Sequence, residues 1–89
     1  MRYLTALLIT TGLFSNLTVL AQSSLLEGVK RNPSEARALC KKFQKYNAAG
    51  ISTSSNKVIE ELSRQKNLSP TDAEVLSIYV IGMYCPDVK

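Results

Sequence analysis

A chain of 89 residues has room for one domain and no more. Its 11 basic and 7 acidic residues leave a formal charge of +4, an excess too modest to imply a nucleic-acid partner. Histidine is absent, which removes the commonest general base and the commonest metal ligand. No cofactor is expected.

The chain opens like an export signal. Arg2 precedes an apolar run from Leu4 to Phe14, and Val19-Leu20-Ala21 puts small residues where a signal peptidase cuts. Residues 1–21 are therefore expected to be a signal peptide, cleaved between Ala21 and Gln22, with the mature chain secreted or periplasmic. A rival reading takes residues 3–21 as an uncleaved anchor. Thr10, Thr11, Gly12, Ser15, Asn16 and Thr18 dilute that stretch, and its strongly apolar part has only signal-core length. No stable membrane span is expected after cleavage.

The mature chain holds two cysteines, Cys40 and Cys85. An exported chain meets an oxidising compartment, where an even count reads as a disulfide. The core of so short a chain gives thin stability, and a crosslink over this span contributes about 4 kcal/mol at most. Reactive thiols would want a C-x-x-C pair or a histidine neighbour, and neither is present. Two thiolates also fall short of a structural zinc site.

Residues 22–32 form a short lead, either flexible or helical, since Ser24-Leu25-Leu26-Glu27 has capping-box spacing. The disulfide-linked domain is expected over 33–89. Its first helix starts at Asn32-Pro33-Ser34-Glu35, with Asn32 as cap and Pro33 at the first helical position. Ala36, Leu39, Cys40, Phe43 and Asn47 then share one face, and Gly50 stops the helix. After a polar turn over Ser52–Asn56, a second helix carries Val58, Ile59 and Leu62 on a narrow stripe. Glu60 and Arg64 are spaced as an exposed pair.

Ser69-Pro70 opens the third helix, with Asp72 and Glu74 at its positive end. Its body, Val75 to Tyr84, is apolar nearly all round and therefore predicts a central position. Leu76, Val80 and Met83 are expected to face the second helix. Val75, Ile78, Ile81 and Cys85 are expected to face the cysteine-bearing first helix. Pro86 ends it.

Leu39-Cys40, Gly50-Ile51-Ser52, Val58 with Leu62, Leu68-Ser69-Pro70 with Ala73, and Tyr84-Cys85-Pro86 together resemble the small exported mycobacterial family called domain of unknown function 732. The resemblance covers Leu39 to Pro86. It implies an exported helical domain with paired cysteines and carries no activity.

Candidate chemistry is thin. Glu60 and Glu61 are adjacent on a helix and diverge. Asp72 and Glu74 are explained by the helix dipole, and Ser52, Ser54 and Ser55 by turn chemistry. The sequon Asn67-Leu68-Ser69 is better read as a cap followed by proline. Phe43, Tyr46, Tyr79 and Tyr84 are expected to serve packing. Arg37, Lys41 and Lys45 recur every four residues and form a basic stripe away from Phe43. That stripe is either a solvated face or a contact for an anionic envelope component. The expectation is thus an all-α domain of three main helices, clamped by Cys40–Cys85. Its role is that of a non-enzymatic interaction module, with an unknown protein or an anionic envelope component as partner. The alternative is a membrane-active or toxin-like peptide using the basic stripe and the apolar third helix.

Overall fold

Proline, serine and glycine punctuate this chain, and the computed structural model follows them. It describes residues 24–89. The expected leader over 1–21, and its cleavage point at Ala21 and Gln22, lie outside the described residues. Those residues form four helices and no strand: α1 over 24–31, α2 over Pro33–Ala48, α3 over Asn56–Lys66 and α4 over Pro70–Tyr84.

The undecided stretch before Pro33 is thus helical, and Val29 of α1 is buried in the core. A single non-helical residue, Asn32, separates α1 from α2. Its carbonyl accepts the first bond of α2, from the Ala36 amide at 3.1 Å. Its side chain, however, does not cap α2, contrary to expectation. Instead Nδ2 and the backbone N–H of Asn32 both donate to the Gly28 carbonyl, at 3.4 and 3.2 Å. The end of α1 leaves carbonyls without partners, and Asn32 serves them first. Pro33, lacking an N–H, opens α2 without adding an unsatisfied donor.

Gly50 and Ser69 act as expected, and Ser55 and Asn67 bound α3. Gly50 has φ 78°, a left-handed conformation that glycine takes at little cost, and the Ile51 amide closes back on the Tyr46 carbonyl at 2.8 Å. Ser55 accepts from the Val58 amide to start α3, and Ser69 accepts from the Asp72 amide to start α4. Asn67 ends α3 in the left-handed region, with the Leu68 amide bonded to the Ser63 carbonyl.

The core gathers around Phe43, Val58 and Val80, the largest fully buried side chains. Helix α4 is central, packing closely against both α2 and α3. Its buried residues are Ala73, Leu76, Ser77 and Val80. That is one stripe at i, i+3, i+4 and i+7, where the sequence suggested two covered sides. Leu76 and Val80 are buried as expected, but Met83 is 44% exposed. On the other expected side Cys85 is buried, Val75 and Ile81 are half-buried, and Ile78 is 60% exposed. Among the described residues, Ile78 and Met83 on the outward side of α4 are left exposed. Ser77, buried within that stripe, donates its hydroxyl proton to the Glu74 carbonyl at 2.7 Å.

The expected Glu60–Arg64 pair is not among the ion pairs of the described residues. Glu61 instead meets Lys42 of α2 at 3.4 Å, and Lys42 also donates to Gln65 at 3.3 Å. One long lysine thereby links α2 to α3, donating to two acceptors at once.

Candidate functional site

Three features of the surface and its near interior are candidates: a clamp, a stripe and a cleft. The clamp is the Cys40–Cys85 disulfide, with Cα atoms 6.0 Å apart and a sequence separation of 45. It lies in the core, both cysteines being buried. Beyond it the chain turns back. Val88 is buried, and Lys89 is held at its backbone by Asn47, whose Oδ1 accepts from the Lys89 N–H and whose Nδ2 donates to the Lys89 carbonyl, both at 2.7 Å. The Thr53 amide donates to the same carbonyl at 3.0 Å. Asn47, placed by sequence on the apolar face of α2, is the polar end of that face and fastens the last residue.

The stripe, Arg37, Lys41 and Lys45, is exposed along α2 as expected. Its members are not equivalent. The Arg37 guanidinium lies over the Tyr84 ring, 6.0 Å from its centre, at the outer limit of a cation–π contact. Lys41 and Lys45 have no acidic partner among the ion pairs of the described residues. Tyr84 is thereby engaged by α2 through its ring, in keeping with the packing role expected of the aromatics.

The cleft was not foreseen. It has a volume of about 220 Å³ and opens between α1, α2, α4 and the end of α3. Leu25, Gly28 and Val29 line it from α1, at i, i+3 and i+4, so they share one face of that helix, and Asn32 just beyond its end continues the wall. Leu39, Leu76 and Val80 form much of the facing wall. At the rim Lys66 is paired with Glu35, joining the end of α3 to the start of α2. The Lys66 side chain is 25% exposed and that of Glu35 49%, so the lysine side chain is the more covered of the two. The one sequence signal for this site was a glycine between Leu25 and Val29 on the apolar side of a short helix. It read as a possible helix stop.

Chemically, the cleft is an apolar surface with a charged pair at its mouth. Among the described residues no three acidic or cysteine side chains gather closely enough to hold a metal ion. No helix among them is long and apolar enough to cross a membrane.

No curated protein and no solved structure matches the chain. A family model does match, over residues 26–85, from the third residue of α1 through the second cysteine. Those limits enclose most of the cleft wall and of the core and both ends of the disulfide, and the chain belongs to the family described as Domain of unknown function (DUF8664).

Proposed function

We propose that this protein is an exported, non-enzymatic interaction module of the cell envelope, periplasm or medium. The observation that carries this reading is the buried Cys40–Cys85 bond in a very small core. A domain of this size gains most from a crosslink where the compartment keeps it oxidised. The signal-like residues 1–21 point to the same compartment. The outward side of α4, with Ile78 and Met83 exposed, offers contact surface to a partner. The placement of the cysteines and the closing Tyr84-Cys85-Pro86 support a more distant kinship with the exported domain of unknown function 732 family.

The test is mass spectrometry of the protein from its own host. An N-terminus at or just after Gln22, with both cysteines oxidised, is the expected result. A full-length chain starting at Met1 with free thiols would defeat the reading.

A second reading, membrane activity, is favoured by the exposure of Ile78 and Met83 together with Arg37, Lys41 and Lys45. It requires leakage of anionic vesicles that weakens with salt, because the Debye length falls from about 10 Å at 0.1 M to about 3 Å at 1 M. Glutamine at all three basic positions should abolish that leakage.

A further inference from the structure

We infer that the cleft beside α1 is a binding site for a single-chain amphiphile: an alkyl chain against α1 and α4, with an anionic head at Lys66. The inference deepens the proposed interaction role and rests on it.

The argument begins with Gly28. A glycine inside a helix destabilises it by roughly 0.5–1 kcal/mol relative to alanine, so its presence calls for a reason. The usual reasons are a positive φ or another backbone pressed against it. Neither holds, because Gly28 is not among the positive-φ residues and a Cβ built there meets nothing within 4 Å. What the missing side chain leaves is open space. Gly28 sits on the α1 face that carries Leu25 and Val29, and that face lines the cleft. Any larger residue at position 28 would project into the opening.

Size and polarity then select the occupant. The cleft volume of about 220 Å³ exceeds the roughly 150 Å³ of an apolar cavity that holds benzene. It is smaller than the roughly 300–1,000 Å³ of pockets for drug-sized molecules. A narrow apolar group fits, and a bulky ring system does not. The walls are aliphatic, offering no stacking surface for an aromatic ligand. At the mouth, the Lys66 side chain is the more covered of the pair and that of Glu35 the more exposed. Glu35 can therefore swing into water while Lys66 stays at the rim, which leaves a cation to receive an anionic head. A carboxylate head then takes the place of Glu35 on Lys66, and the Glu35 carboxylate is left to water.

The experiment uses the oxidised protein as its host leaves it, with decanoate as the probe below its micelle-forming concentration. Methyl resonances are followed by NMR, with decanol and decyltrimethylammonium as comparison ligands. Saturable decanoate shifts at Val29, Leu39 and Val80, with decyltrimethylammonium binding more weakly, are expected. Gly28→Leu should weaken decanoate binding about tenfold or more. Its melting temperature should not fall, which separates a filled cleft from a damaged fold. Two rim variants act in opposite directions without touching the core. Lys66→Met should weaken decanoate by about threefold, and Glu35→Gln should tighten it by a similar factor, the scale of an exposed ion pair. The inference is overturned if no saturable shifts occur, if they map to Ile78 and Met83, if Gly28→Leu binds as the parent does, or if the cationic ligand binds as well as decanoate. The N-terminus and thiol state of the same preparation are read by mass spectrometry, so failure of export and failure of the cleft give different results.

Discussion

The two ends of helix α2 are built on opposite terms. At mid-helix Cys40 is bonded to Cys85, and from there to the C-terminal end the structure is closed: Val88 is buried, and Asn47 and Thr53 hold the backbone of Lys89. At its N-terminal half, Ala36 and Leu39 border an open cleft, and a glycine stands where a side chain could fill it. The difference teaches that the closed end allows the open one. A domain this small has little stability to spare, and a crosslink constrains the unfolded chain whatever the packing elsewhere. An uncovered apolar cleft and an uncovered side of α4 are tolerable in a chain held this way.

The largest expected effect lies between the two ends. Phe43 is 2% exposed, and Phe43→Ala should cost about 3–5 kcal/mol, enough to abolish cooperative unfolding in a thermal melt. A native-like melt would mean that the core around α2 relaxes far more easily than its packing implies. Next comes the clamp. The double variant Cys40→Ser, Cys85→Ser should lose about 2–4 kcal/mol in denaturant unfolding. Amide exchange should accelerate first at the end of α4 and at Val88, and an equal acceleration in α1 would erase the contrast between the ends.

Smaller effects sharpen the comparison. Asn47→Ala removes two hydrogen bonds to Lys89 and should cost about 1–2 kcal/mol. The Lys89 amide should then exchange at nearly the rate of an open chain. Gly28→Ala, at the other end, should stabilise the protein by about 0.5–1 kcal/mol, seen as a raised melting temperature. A loss of stability there would show that Gly28 is needed by the fold and not by the opening beside it.

Much of this architecture was legible in the residues because the signals are local. Ser69-Pro70, Ser55, Gly50 and Asn67 each act within one turn of helix, and each ends or starts an element where expected. The pairing of Cys40 with Cys85 was also readable, since only two cysteines exist. The sides of α4 were not. A helix with apolar residues all round gives no periodic signal, so sequence cannot tell which stripe is buried. The structure covers the one containing Ala73 and Ser77, neither of which was singled out for burial. Lys42 was unreadable for a related reason: its partners Glu61 and Gln65 are on another helix, while Glu60 and Arg64, the pair with favourable local spacing, stay apart. Asn32 shows two local rules in conflict, one asking it to cap the following helix and one to serve the preceding helix. The cleft needs four separate segments to come together, and no spacing within one of them announces it.

The burial of the disulfide has a consequence for its chemistry. Thiol–disulfide exchange requires an attacking thiolate to reach a sulfur in line, and Cys40 and Cys85 are only 6% and 3% exposed. A reductant in solution must wait for the domain to breathe. Its rate of attack then measures how often the end of α4 lifts away from α2, as hydrogen exchange does for an amide. A ligand that holds α2 and α4 together in the cleft, against Leu39 and Val80 beside the two cysteines, would slow that lifting. The sulfurs would thus act as an internal clock for occupancy of a cleft they do not touch.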